Sequence, residues 1–161
     1  MTQQLLLIEG VNKEFPGVKA LSDMHLNLNA GEVHAVVGEN GAGKSTLMKI
    51  LSGIYKKDSG SITYKGANVD VNSPLAAQQL GISIIHQEIL LMPHLTVAQN
   101  IFIGREPKSK NRIFLNDAEL NRMAKELLAE LNLNIDPTAI VGELTIARQQ
   151  MVEIAKAVSY R

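Results

Sequence analysis

The chain has 161 residues, 45% hydrophobic and 20% charged, enough apolar mass for one core of ordinary composition. Lys+Arg and Asp+Glu both number 16, so the formal net charge is zero, without the basic excess of a nucleic-acid footprint. There is no cysteine, which excludes disulfides and thiol chemistry; no apolar run approaches the roughly 18 residues of a membrane helix, and Met1-Thr2-Gln3-Gln4 lacks the basic start of a secretory leader, so membrane contact is expected only through a partner.

Residues 5–10 read as a short apolar strand, and 11–20 as a loop centred on Phe15-Pro16-Gly17. Met24, Leu26 and Leu28 alternate with polar neighbours, the pattern of a half-buried strand. After the turn Asn29-Ala30-Gly31, Glu32-Val33-His34-Ala35-Val36-Val37 reads as a buried strand, with His34 a satisfied core residue. The next residues, Gly38-Glu39-Asn40-Gly41-Ala42-Gly43-Lys44-Ser45-Thr46, fit the phosphate-loop pattern G-x-x-x-x-G-K-[ST]. Glycines at 38, 41 and 43 let the backbone turn its N–H groups inward around phosphate oxygens. Lys44 supplies a point charge to the β- and γ-phosphates, and the Ser45 hydroxyl suits Mg²⁺. A helix starting near Lys44 aims its positive end at the same anion.

Gly60–Tyr64 is a further strand, so short turns point to antiparallel pairing in this first part. Pro74–Leu80 reads as a helix stopped at Gly81, and Ile82-Ser83-Ile84-Ile85 as a second buried strand ending at His86-Gln87-Glu88. Beyond that the chain turns helical. Thr96 caps a helix through Ile103; Gly104–Arg112 is a polar, mostly basic and solvated loop; Asn116 and Glu119 have capping-box spacing before a helix lined by Leu120, Met123, Leu127, Leu128 and Leu131. A last helix from about Thr145 to Val158 carries Ala147, Met151, Ile154, Ala155 and Val158 on one side. The four histidines show no metal spacing.

Three features beyond the phosphate loop give the chain its resemblance to the ATP-binding subunits of ABC transporters. They are Phe15 upstream of the loop, Gln87 after Ile84-Ile85-His86, and Leu144-Thr145-Ile146-Ala147-Arg148-Gln149-Gln150 at the place of the signature motif. The resemblance implies an α/β phosphate-loop nucleoside triphosphatase fold of the ABC-cassette type. Residues 1–90 would be the phosphate-loop core with an antiparallel β subdomain and an incomplete parallel sheet, and 91–161 a helical subdomain. It implies ATP and Mg²⁺ as ligands. Phe15 would stack on adenine, Lys44 and Gln87 would be the catalytic positions, and Ser45 and Gln87 would hold the metal. Thr145 would contact the γ-phosphate of a second cassette. Ile146 and Ala147 stand where the family has two glycines, and Arg148 where it has Gln, so the signature is altered. Such signatures, together with Phe15–Leu21, Asn100–Glu106 and Gln150–Ala157, resemble monosaccharide importers of the ribose, xylose and galactose type. In these, two tandem cassettes work with transmembrane permease subunits and a periplasmic or extracellular sugar-binding protein, peripherally on the cytoplasmic face of the membrane.

The family's signature helix leads into an apolar strand ending in Asp-Glu, which supports Mg²⁺ and polarises the attacking water. No Ile/Val/Leu run in these residues ends that way. The expectation is a partial cassette that holds ATP but hydrolyses it slowly or not at all alone, with Val33–Val37 left as an exposed apolar edge. A non-catalytic nucleotide-binding fragment is the alternative function, and a soluble ABC ATPase of DNA repair or translation is a third.

Overall fold

Leu6 and Ile8 are buried while Leu5 and Leu7 are half-exposed, the period of two that marks a strand with one face on a core. The structure, a computed structural model, describes residues 3–107 and 115–160 and divides the chain into two units, Met1–Ile82 and Ser83–Arg161.

In the first unit, β1 (Gln4–Phe15), β2 (Val18–Asn29), β3 (Ser59–Tyr64) and β4 (Ala67–Asn68) form an antiparallel sheet of order β2-β1-β3-β4. The buried positions of β1 switch from Leu6 and Ile8 to Val11 because the register slips there against β2. Gly10 sits at this bulge with φ 61°, and Gly60 comes so near that a Cβ on it would stand 2.4 Å from the Gly10 carbonyl oxygen. Helix α1 (Lys44–Leu51) buries Leu47 and Ile50 in the core with Leu6, Ile8, Val11, Leu21 and Ile62. Helix α2 (Pro74–Gln79) has Ser73 as N-cap, whose hydroxyl accepts from the Ala76 N–H at 3.2 Å, and proline in its first turn, where no helical donor is lost.

Three expectations for this unit change. Residues 11–20 are no loop: β1 runs on through Asn12, Lys13 and Glu14 to a two-residue turn at Pro16-Gly17, where β2 begins at Val18, so Phe15 is the last residue of a strand. Residues 32–39 form no strand; Val33 is 99% and Val37 88% exposed. A strand there requires a ladder partner for its backbone N–H and C=O groups, and among the described residues none pairs with it. His34 lies outside the core and meets the Glu32 carboxylate at 3.3 Å. That carboxylate also accepts from the Asn29 N–H at 2.8 Å and the Asn29 side chain at 3.1 Å; these bonds, the backbone one foremost, hold it below the usual carboxylate range.

The second unit is helical: α3 (Val97–Phe102), α4 (Asp117–Glu130), a 3₁₀ turn (Val141–Glu143) and α5 (Ile146–Val158) surround a core of Val97, Ile101, Leu120, Leu128, Val141 and Val152. Thr96 and Gln99 make a reciprocal capping box on α3. Asn116 caps α4 by accepting from the Glu119 N–H at 3.1 Å. Leu120, Ala124 and Leu128 are the buried stripe of α4, with Met123, Leu127 and Leu131 packed beside it. Asn100 is fully buried within apolar α3. Its Oδ1 accepts from the Met92 N–H at 2.7 Å and its Nδ2 donates to the Met92 and Thr96 carbonyls, each at 3.0 Å, fastening the segment 92–96 onto the helix.

Here too the structure corrects the sequence. Residues 82–86 are irregular, with Ile85 51% exposed, again without a ladder partner among the described residues. The buried face of α5 is Val152 and Ala155 with half-buried Gln149, whereas Ala147 and Met151 are exposed. Polar contacts set that rotation. The Gln149 amide donates to the Val141 and Leu144 carbonyls at 3.1 and 3.0 Å, and Glu153 accepts from the Leu90 N–H at 2.8 Å. Of the basic loop, Lys108, Lys110 and Arg112 lie outside the described residues. Arg105 is exposed but committed: it donates to the Ile101 carbonyl at 2.9 Å and the Ser159 carbonyl at 2.8 Å, and lies 3.9 Å from the centroid of the Tyr160 ring. Among the described residues no helix is long and apolar enough to cross a membrane.

Candidate functional site

The candidate phosphate loop, Gly38–Thr46, belongs to the first unit. Gly41 and Gly43 take positive φ, 88° and 84°, and reverse the chain just before α1. A Cβ on Gly43 would lie 2.4 Å from the Ala20 carbonyl oxygen and 2.7 Å from Leu21 Cδ2, so the end of the loop rests directly on β2. Gly43 is also the N-cap of α1, and having no side chain it makes no side-chain cap bond. The first N–H groups of the helix therefore keep their donor capacity for an anion. Lys44 arches back over the loop, its ammonium donating to the Gly38 carbonyl at 2.6 Å and the Glu39 carbonyl at 2.8 Å. An ammonium has three donors, so one remains for a phosphate oxygen. The Ala42 N–H closes the loop onto the Glu39 carbonyl at 3.1 Å. Ser45 is exposed at the start of the helix and Thr46 follows half-buried. The donor set fits a phosphate chain with a divalent cation: a turn of α1 without a side-chain cap, one ammonium and one accessible hydroxyl.

Phe15 belongs to the same unit. Its ring is half-buried, meets the Tyr55 ring edge-on at 5.2 Å between centroids and 68° between planes, and has the Lys13 ammonium 5.4 Å from its centroid. Lys13 is itself paired with Asp58 at 2.6 Å. Tyr55 is the neighbour that sequence reading missed. Its only signal there is an aromatic placed just after the helix that leaves the phosphate loop.

Gln87 and Thr145 lie in the second unit. Gln87 is exposed in an irregular stretch whose continuation is anchored at Leu90 by Glu153 and at Met92 by Asn100. Thr145 is the N-cap of α5, its hydroxyl accepting from the Arg148 N–H at 3.4 Å. Ile146 follows and is 63% exposed. Asn100 and Glu153 also escape sequence reading, although a lone Asn inside Val97-Ala98-Gln99-Asn100-Ile101-Phe102 is the kind of buried polar residue that ties down a neighbouring loop.

Similarity to known proteins agrees with this geometry. The chain is 58% identical over 156 residues to a protein of Burkholderia lata, named as a candidate ribose/galactose/methyl galactoside import ATP-binding protein; the match takes in 97% of this chain and 30% of that one. A protein of Burkholderia cenocepacia named in the same terms is 57% identical over 159 residues, 99% of this chain and 31% of the relative. The chain thus spans about three tenths of the length of these relatives. The crystal structure of a nucleotide-free ATP-binding cassette from an ABC transporter superposes with a TM-score of 0.82 at 26% identity, over 98% of this chain and 65% of the other. A second structure of an ABC transporter's ATP-binding cassette gives a TM-score of 0.83 at 26% identity, over 99% and 66%. The ABC transporter family model matches residues 21–161, from early in β2 through α5, and the chain belongs to the ABC transporter family.

Proposed function

We propose that the chain is the ATP-binding portion of an ABC ATPase that powers import of a monosaccharide, with the ATP triphosphate held by Gly38–Thr46. The observation that carries the reading is the start of α1: a glycine cap that leaves helix donors uncommitted, with Lys44 folded over the same loop. Backbone N–H groups of residues 43–46, at the start of α1, and the third donor of Lys44 bind the β- and γ-phosphates. Phe15 presents an aromatic surface to adenine. Ser45 offers its hydroxyl to Mg²⁺, and Gln87, from the second unit, its amide oxygen. When bound, Mg²⁺ neutralises charge on the β- and γ-phosphates. Thr145 serves the γ-phosphate of a second cassette. Permease subunits in the membrane, a sugar-binding protein and that second cassette are the partners, and the cytoplasmic face of the membrane is the place of action. The sugar class rests on the names of the relatives, which specify ribose, galactose and methyl galactoside import.

Phosphoryl transfer depends on positioned charge and an oriented water. The 161 residues contain no apolar run ending in Asp-Glu, so this chain alone binds ATP with little or no turnover. Phosphate release from ATP is expected at background for the isolated chain. Turnover well above background that Lys44→Ala removes would overturn this part. Deletion of the coding sequence in its own cell is expected to abolish uptake of one monosaccharide, and unchanged uptake of every monosaccharide would overturn the transport reading.

A further inference from the structure

We infer that Tyr55 is a positioning residue for nucleotide binding: it braces Phe15 and ties that ring to the helix that carries the phosphate loop. The inference rests on the reading of Phe15 as the adenine platform and adds a residue to it.

Phe15 ends β1 beside a two-residue turn, a place where a lone ring is free to change rotamer. Tyr55 removes that freedom through an edge-type contact, 5.2 Å between centroids and 68° between planes. Tyr55 is itself held from α1. Its N–H donates to the Lys49 carbonyl at 3.0 Å, and the Lys49 ammonium stands 5.3 Å from the centroid of its ring. The chain just beyond Tyr55 is laced to the end of β1. The Asp58 N–H donates to the Asn12 carbonyl at 2.9 Å, and the Asp58 carboxylate accepts from the Lys13 ammonium at 2.6 Å and the Glu14 N–H at 2.7 Å. One eight-residue helix therefore begins at Lys44 and ends a few residues before the brace on Phe15. Base platform and phosphate loop are fixed relative to each other before ligand arrives, which lowers the ordering cost of binding. A purely packing role for Tyr55 would affect the fold and leave no preference between ligands with and without a base.

The test compares ATP with inorganic tripolyphosphate, which offers the phosphates without the base, by titration calorimetry on the whole 161-residue chain. Tyr55→Leu keeps apolar volume beside the core and Tyr55→Phe keeps the ring. Tyr55→Leu is expected to weaken ATP about threefold to tenfold, the scale of one aromatic pair, and to leave tripolyphosphate unchanged. Tyr55→Phe is expected to bind both ligands as the native chain does. Unchanged ATP affinity in Tyr55→Leu overturns the proposal, as does an equal loss for the two ligands. Equal affinity of the native chain for ATP and tripolyphosphate overturns the base platform and Tyr55 with it while leaving the phosphate loop standing. Insensitivity of tripolyphosphate binding to Lys44→Ala counts instead against the phosphate loop.

Discussion

Gly43 answers two demands with one absent side chain. Its φ of 84° is a left-handed conformation that costs other residues roughly 1–2 kcal/mol, and a Cβ would stand 2.4 Å from the Ala20 carbonyl oxygen, a backbone atom that cannot swing away. Gly43→Ala is therefore expected to destabilise the chain by about 2 kcal/mol or more, or to prevent folding, as read by urea unfolding. A variant as stable as the native chain would show that the loop does not rest on β2 as described. The turn through Gly41 and Gly43 was legible from the glycine spacing alone, because that pattern encodes local backbone geometry. Tyr55 was not, since its role arises from a contact with Phe15 that only the fold brings about.

At the scale of elements, the lace between β1 and the segment before β3 has a defined pH response. The Lys13 ammonium foremost, then the Glu14 N–H, holds the Asp58 carboxyl below its ordinary value near 3.8. A depressed folded value means that the bond contributes stability above the unfolded value and loses it as pH falls through the folded one. The urea midpoint is thus expected to be insensitive to this group above about pH 5 and to fall in more acidic solution. Asp58→Asn should lower the midpoint at neutral pH and flatten the acid fall; parallel profiles for the two proteins would contradict the lace. The helices were legible as elements because Thr96, Asn116 and Thr145 cap them from adjacent sequence. Rotation was harder. The face of α5 is fixed by Gln149 and Glu153 bonding to distant carbonyl and amide groups, which apolar periodicity does not register. The strands expected at 32–37 and 82–85 have apolar runs suited to burial on both faces, but an apolar run does not supply a neighbour, and without a ladder both segments stay irregular. Conversely, Asn12, Lys13 and Glu14 break the apolar pattern yet continue β1, because backbone pairing with β2 and β3 holds them.

Across the whole molecule, the sequence features assigned to ATP divide between the two units: Phe15 and Gly38–Thr46 in Met1–Ile82, Gln87 and Thr145 in Ser83–Arg161. The first set rests on described geometry, a helix start without a side-chain cap, a folded-over lysine and a braced ring. The second rests on position in the sequence and on family membership. Titration of the 161-residue chain with Mg-ATP, beside its Lys44→Ala variant, reads whether Gly38–Thr46 holds the triphosphate. Saturable binding by the native chain is expected, with at least a tenfold weaker affinity, about 1.4 kcal/mol, in the variant at unchanged thermal stability. Equal affinity in the two proteins would contradict that role of the loop.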